Sequence, residues 1–326
     1  MRILIVTPAK AGSRHGNRNT ATRWARLLRA SAHEVAIVVE ATQAVGTYDL
    51  MIALHARRSA ASIALWKSNP QRPLILALTG TDLYRDIRTD PAAQQSMHLA
   101  DAMIVLQAEG LNELAPALRA KTHVVHQSVH AVQRADPPTK YCLISVIGHL
   151  RDEKDPLRAA YALRHVPAQS RIGVVQLGGA LDEVLAREAR EIAAQDRRYR
   201  WLGELAHGDA MRWLARSQAM VISSRMEGGA HVVSEAIACG VPVLASRIPG
   251  NVGLLGPDYA GYFTLEDAAG LARLMLRIET DKRFVLTLER GIAGRRHLVD
   301  AEAERSALDL LVRSVMASAG GGRGAS

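Results

Sequence analysis

The stretch Ser223-Ser224-Arg225-Met226-Glu227-Gly228-Gly229-Ala230-His231-Val232-Val233-Ser234-Glu235-Ala236-Ile237-Ala238-Cys239-Gly240-Val241-Pro242-Val243 reads as a strand end, a glycine loop, a helix and the start of the next strand. Gly228 and Gly229 allow close backbone approach, and the first turn of the helix exposes N–H groups suited to a phosphate or a sugar hydroxyl. Glu227 is expected in the loop and Glu235 two turns into the helix, so one carboxylate can bind sugar hydroxyls and the other ribose hydroxyls. Spacing alone leaves a second reading open, in which Glu227 is a helix N-terminal charge and Glu235 a solvated side chain.

Outward from this stretch the same alternation repeats. Apolar runs at 2–9, 34–40, 49–55, 73–80, 102–107 and 123–129 are separated by segments of helical spacing, which predicts a parallel sheet covered by helices. The polar, doubly prolinated Arg134-Ala135-Asp136-Pro137-Pro138-Thr139-Lys140 reads as a linker. A second series follows at 141–148, 171–179, 199–205, 219–225, 242–247 and 261–265. The expected fold class is α/β, two tandem doubly wound Rossmann-like lobes with ligands at the carboxyl ends of the strands, in an interlobe cleft. The expected division is an N-terminal lobe 1–137, a C-terminal lobe 138–300, and a segment 301–326 whose helix packs on either lobe before a frayed tail from Ala317.

The 326 residues fit about two domains. Lys and Arg total 41 against 32 Asp and Glu, a net +9 that favours acidic partners. Aromatic residues make up only 4%, and no basic run with interleaved aromatics points to nucleic acid. The longest stretch free of Asp, Glu, Lys and Arg is about a dozen residues, too short for a membrane span. The short Met1-Arg2-Ile3-Leu4-Ile5-Val6 is a first strand rather than a signal peptide, and a cytoplasmic location is expected. Cys142 and Cys239 each sit in an apolar run and read as reduced, packed thiols.

Two further turns carry chemistry. Val146-Ile147-Gly148-His149-Leu150-Arg151-Asp152-Glu153-Lys154-Asp155 opens the second series and supplies cations after a strand. In the first series, Gly12-Ser13-Arg14-His15-Gly16-Asn17-Arg18 precedes a helix and makes an electropositive, small-residue anion turn without Gly-x-Gly-x-x-Gly spacing. Thr79-Gly80-Thr81-Asp82 closes another strand, where Asp82 either positions an acceptor or caps a helix. His15, His55, His126 and His231 are candidates for a base or an anion contact, and no grouping has metal-ligand spacing.

Glu-Gly-Gly before the helix and Glu-Ala-Ile-Ala-Cys-Gly-Val-Pro-Val after it resemble the signature of GT-B glycosyltransferases with a Glu, seven residues, Glu motif. The resemblance implies that Glu227 contacts a donor sugar, Glu235 the nucleotide ribose, and the backbone of Gly228, Gly229 and Ala230 the sugar and pyrophosphate. It implies a diphosphate clamp of Lys154 with an Arg at the position occupied here by His149, and Arg151 is placed to supply that guanidinium. It also implies an acceptor loop at 12–18 facing the donor, a nucleotide sugar as co-substrate, and no cofactor or catalytic metal.

Together with Pro249-Gly250-Asn251-Val252-Gly253-Leu254-Leu255-Gly256 and the 12–28 stretch, the chain is most similar to a narrow bacterial branch that includes the selenosugar synthases of selenoneine biosynthesis. That likeness implies transfer of N-acetylglucosamine from UDP-N-acetylglucosamine to selenophosphate, with a new carbon–selenium bond. The alternatives are a GT-B enzyme with an oxygen acceptor, a nucleotide-sugar epimerase, and a catalytically silent sensor of UDP-sugars.

Overall fold

A computed structural model describes residues 1–10, 16–42, 46–130 and 132–321. The chain forms two compact units, Met1–Ser128 with the segment from Asp300 onward, and Val129–Val299.

In the first unit β1 (Arg2–Val6), β2 (Glu34–Val38), β3 (Leu50–Leu54), β4 (Leu74–Leu78), β5 (Ala102–Val105) and β6 (Thr122–Val124) form one sheet in the order β2-β1-β3-β4-β5-β6. All its pairings are parallel, with Ile3 opposite Leu50 and Ile75 opposite Ala102. The central strands are apolar throughout, as a sheet covered on both faces requires: Leu-Met-Ile-Ala-Leu of β3 and Leu-Ile-Leu-Ala-Leu of β4 are buried at every position. The helix Gly16–Ala30 buries Ala21, Trp24, Ala25 and Leu28, one face at helical spacing, against that sheet.

In the second unit β7 (Cys142–Ile147), β8 (Ile172–Leu177), β9 (Tyr199–Trp201), β10 (Ala219–Ile222), β11 (Val243–Ser246) and β12 (Tyr262–Phe263) form another all-parallel sheet, ordered β12-β11-β10-β7-β8-β9. Eleven of the twelve apolar runs contain one strand each, and β6 begins one residue ahead of its run, at Thr122. The strands stop short of the carboxyl ends of several runs, where the chain leaves the ladder to build loops. In both sheets the order reverses beside the first strand, at β1/β3 and at β7/β10. At such a switch point loops diverge to opposite faces and leave room for a ligand.

The stretch 134–140 belongs to the second unit. Arg134 Nη1 donates to the carbonyls of Ala215 (3.1 Å) and Ser217 (2.6 Å), and the Ala135 N–H donates to Ala215 (3.1 Å). The division therefore lies between Ser128 and Val129, ahead of the expected 137/138. Nor is the C-terminal segment a separate appendage. The helix Ala301–Gly321 packs in the first unit, where Leu308, Leu311, Val312 and Val315 join Trp24 and Leu28 in one core. Instead of fraying at Ala317, it runs to Gly321.

A buried carboxylate fixes this docking. Glu304 Oε1 accepts from the Trp24 indole (2.8 Å) and from Arg23 Nε (3.1 Å), while Oε2 accepts from the Ser128 N–H (2.8 Å). Cys142 and Cys239 are free and buried, and burial pushes the Cys142 thiol up to about 12. The Glu304→Ala substitution strands a buried guanidinium and an indole N–H. It is expected to lower stability by about 3–5 kcal/mol, seen as a reduced urea midpoint.

Candidate functional site

The switch point of the second sheet brings the two main motifs together. β7 and β10 are neighbours, with Val146 opposite Val221, so the loops that follow them leave the sheet side by side. Gly148 continues from β7 and its N–H donates to Leu177 at 2.8 Å. Beside it Gly178 has φ +146, and a Cβ there would lie 2.1 Å from the Gly148 oxygen, so the crossing of these two turns requires glycine. The His149 Nδ1 accepts from the Gly179 N–H at 3.0 Å, which ties the imidazole to that crossing.

A short 3-10 turn at Asp152–Lys154 follows and meets the loop after β10 at several points. Ser223 Oγ donates to the Asp155 carbonyl (2.7 Å), and the Arg225 N–H donates to the Glu153 carbonyl (2.9 Å). The Arg225 guanidinium binds the Asp152 carboxylate (2.7 Å) and Glu266 (2.6 Å). That bond to Arg225 holds the Glu266 carboxyl below its usual range, while burial raises Asp155 against the pull of Arg158.

This docking places Lys154 Nζ in an ion pair with Glu227 Oε1, which also accepts from Ser224 Oγ at 2.6 Å. Glu227 is 9% exposed, so its charge sits in a largely dry position and needs these two partners. A third loop supports it from below. Ser246 Oγ donates to the Ser224 carbonyl (2.7 Å), Asn251 Nδ2 donates to Ser246 (2.9 Å), and a Cβ on Gly250 would lie 2.0 Å from the Glu227 oxygen. The Pro249-Gly250-Asn251 stretch is thus the floor under Glu227.

The helix His231–Cys239 starts directly after Gly228, Gly229 and Ala230. Ala230 is its N-cap and makes no side-chain cap bond, so of the first-turn N–H groups Val233 donates to the Ala230 carbonyl (2.8 Å) while those of His231 and Val232 receive no cap from the Ala230 side chain. Glu235 lies one turn into this helix rather than two, because the helix begins at His231. Its Oε1 is 2.7 Å from His207 Nε2 and 3.5 Å from His231 Nε2. The bond to Glu235 raises the His207 pKa.

Arg151 is exposed and, among the described residues, makes no side-chain hydrogen bond or ion pair. In the first unit Gly12, Ser13, Arg14 and His15 lie outside the described residues. Gly16, Asn17 and Arg18 form the first turn of the helix Gly16–Ala30. Asp82 caps no helix with its side chain. It accepts instead from the backbone of Thr79, Gly80 and Ala56 at 2.8–3.0 Å, joining two strand-end turns. Sequence reasoning did not single out His207, Ser224, Arg225 or Glu266. His207 precedes Glu235 by a helix, a strand and a loop, and no local pattern links them.

Among the described residues no group of three or more His, Cys, Asp and Glu is placed to hold a metal ion. No helix among them is long and apolar enough to cross a membrane.

Residues 131–292 match the family Glycosyl transferases group 1. Over 90% of its length the chain is 24% identical to a Xenopus tropicalis relative, Glycosyltransferase 1 domain-containing protein 1, and covers 92% of that protein. Among solved structures, sucrose-phosphate synthase from Thermosynechococcus elongatus superposes with a TM-score of 0.82 at 16% identity, covering 97% of this chain and 99% of that one. Anabaena HepE in complex with UDP and glucose gives a TM-score of 0.77 at 15% identity, covering 96% of this chain and all of that one. The fold is that of the GT-B glycosyltransferases, and the family match supports a glycosyltransferase.

Two outcomes follow from this geometry. Replacing Gly250 with Ala is expected to displace the Glu227 backbone and cost about 1–3 kcal/mol in urea unfolding. In an NMR titration, His207 is expected to titrate above the ordinary imidazole value, and Glu235→Gln to return it there. The stabilisation from this pair is full below the unfolded-state pKa and is lost as pH rises through the raised folded value.

Proposed function

We propose that this chain transfers N-acetylglucosamine from UDP-N-acetylglucosamine to selenophosphate, forming a carbon–selenium bond. The observation that carries the donor half is the joining of Lys154, Glu227 and Ser224 at the switch point, beside the uncapped first turn at Ala230. The family match over 131–292 supports the class of reaction, and HepE, whose structure holds UDP and glucose, shares the fold. The acceptor half is supported by the motif resemblance and by the basic composition of the 12–18 loop.

In this reading Glu227 takes sugar hydroxyls and Glu235 takes the ribose. The backbone of Gly228, Gly229 and Ala230 approaches the pyrophosphate. Lys154, with Arg151 from the exposed loop, neutralises the charge that grows on the diphosphate as the anomeric C–O bond breaks. His149 stands where the resemblance has an Arg, and its ring is already committed to the Gly179 N–H, which leaves the guanidinium role to Arg151.

The selenium lone pair attacks the anomeric carbon, the bonding pair of the breaking C–O bond leaves with UDP, and the sugar retains the selenophosphoryl group. Selenophosphate is already an anion, so positioning takes the place of a strong general base. Residues 12–18, from Gly12, Ser13, Arg14 and His15 to Gly16, Asn17 and Arg18, supply its anion contacts.

Release of UDP from UDP-N-acetylglucosamine is measured with and without fresh selenophosphate, with mass spectrometry of the sugar product. Selenophosphate-dependent release and a selenium-containing sugar are expected. UDP release with an alcohol acceptor instead, or a changed sugar without release, would replace this reading by an oxygen-acceptor transferase or an epimerase. Glu227→Ala is expected to cut turnover at least a hundredfold in a protein that still folds but has lost about 1–3 kcal/mol of stability, and Lys154→Ala to weaken donor binding about tenfold or more.

A further inference from the structure

The carboxyl edge of the first unit's sheet carries a polar cluster to which the motifs above give no role. β3 is followed directly by His55, which has φ 75, a left-handed conformation costly for a non-glycine residue and common at functional sites. The turn after the adjacent β4 holds Thr81 and Asp82. Asp82 is fully buried and spends its charge on three backbone N–H groups, so it acts as the pin between the two turns. His55 is buried as well, with Nε2 3.1 Å from Thr81 Oγ1 and Nδ1 accepting from the Arg58 N–H at 3.3 Å. Burial lowers its pKa, which keeps the ring neutral near pH 7.

Beside this pin lies Asp86, with a side chain 5% exposed, a hydrogen bond from Arg85 on Oδ1, and on Oδ2 an ion-pair contact with Arg57 that is not a hydrogen bond, with His55 Nε2 3.9 Å away. Arg57 Nε is 3.1 Å from Oδ2 and Arg85 Nε is 3.3 Å from Oδ1. Both arginines remain open to solvent, at 43% and 52% exposure. Each reaches Asp86 through Nε, and among the described residues the terminal nitrogens make no other hydrogen bond. Arg57, Arg58 and Arg85 outweigh Asp82 and Asp86 by one positive charge.

Half-exposed ion pairs of this kind add little to stability. What the arrangement provides is two guanidinium groups drawn to one carboxylate, with their terminal N–H donors uncommitted. That is the requirement for binding a phosphoryl group through paired N–H donors.

We propose that Arg57 and Arg85, arranged by the buried Asp86, form a binding site for a tetrahedral oxyanion, the phosphoryl group of a small acceptor, in addition to the contacts assigned above to residues 12–18. Its assignment to the acceptor rests on the transferase reading above. Its affinity for an oxyanion does not.

The test is calorimetric titration of the full chain with inorganic phosphate, alongside titration with UDP. Wild type is expected to bind phosphate saturably. Arg57→Gln and Arg85→Gln should each weaken that binding about tenfold and the double variant should weaken it about a hundredfold, with UDP affinity unchanged. Arg57→Lys keeps the charge without the fork and should recover only part of the loss. It also keeps the ion pair with Asp86 should a glutamine variant unfold. Equal phosphate affinity in wild type and double variant, or no saturable binding by wild type, overturns the site. If phosphate behaves as stated and UDP fails to bind wild type, the transferase reading is at fault and the oxyanion site stands.

Discussion

The second unit's site depends on one buried carboxylate. Glu227 sits in the loop after β10 with little solvent, and an ionised carboxylate there is tolerable only if cations and donors meet it. Lys154 from the β7 loop and Ser224 from its own loop do so, and the backbone of that loop rests on Gly250. Three strand-end loops are therefore fixed relative to one another by the requirement to satisfy one charge. The bonds of Arg225 to Asp152 and Glu266 and of Ser223 to Asp155 extend the same seam outward. A site assembled in this way is preorganised, because its donors are positioned before any ligand arrives.

The sheets were legible in the sequence because buried parallel strands must be apolar on both faces. Runs such as Leu-Met-Ile-Ala-Leu or Leu-Ile-Leu-Ala-Leu, bounded by polar or glycine-containing segments, have few other uses in a chain of this length. The Glu227 to Glu235 stretch was legible for a related reason: its glycines, its helix and the following strand are local in the chain. Their order alone puts a carboxylate, open N–H groups and a second carboxylate on one edge.

What escaped the sequence is what depends on distant partners. His207 meets Glu235 because the helix His207–Ala215 packs on the helix His231–Cys239, and Arg225 meets Glu266 across the intervening β11; neither meeting is written in any window of residues. The C-terminal helix likewise declares an apolar face without naming its partner. Its choice of the first unit is made by Glu304, which finds Arg23, Trp24 and the Ser128 N–H at a sequence distance no periodicity reports. The Arg57 and Arg85 pair belongs to the same class, since its meaning lies in the single carboxylate the two side chains share.

The central claim is that the nucleotide sugar is held where the loops after β7 and β10 meet. Amide hydrogen exchange of the full chain, with and without saturating UDP, tests it most directly. The account predicts slowed exchange concentrated in 148–155 and 223–237, since these loops and the first helical turn would bear the contacts. Protection confined to other segments, or none at saturation, would contradict it.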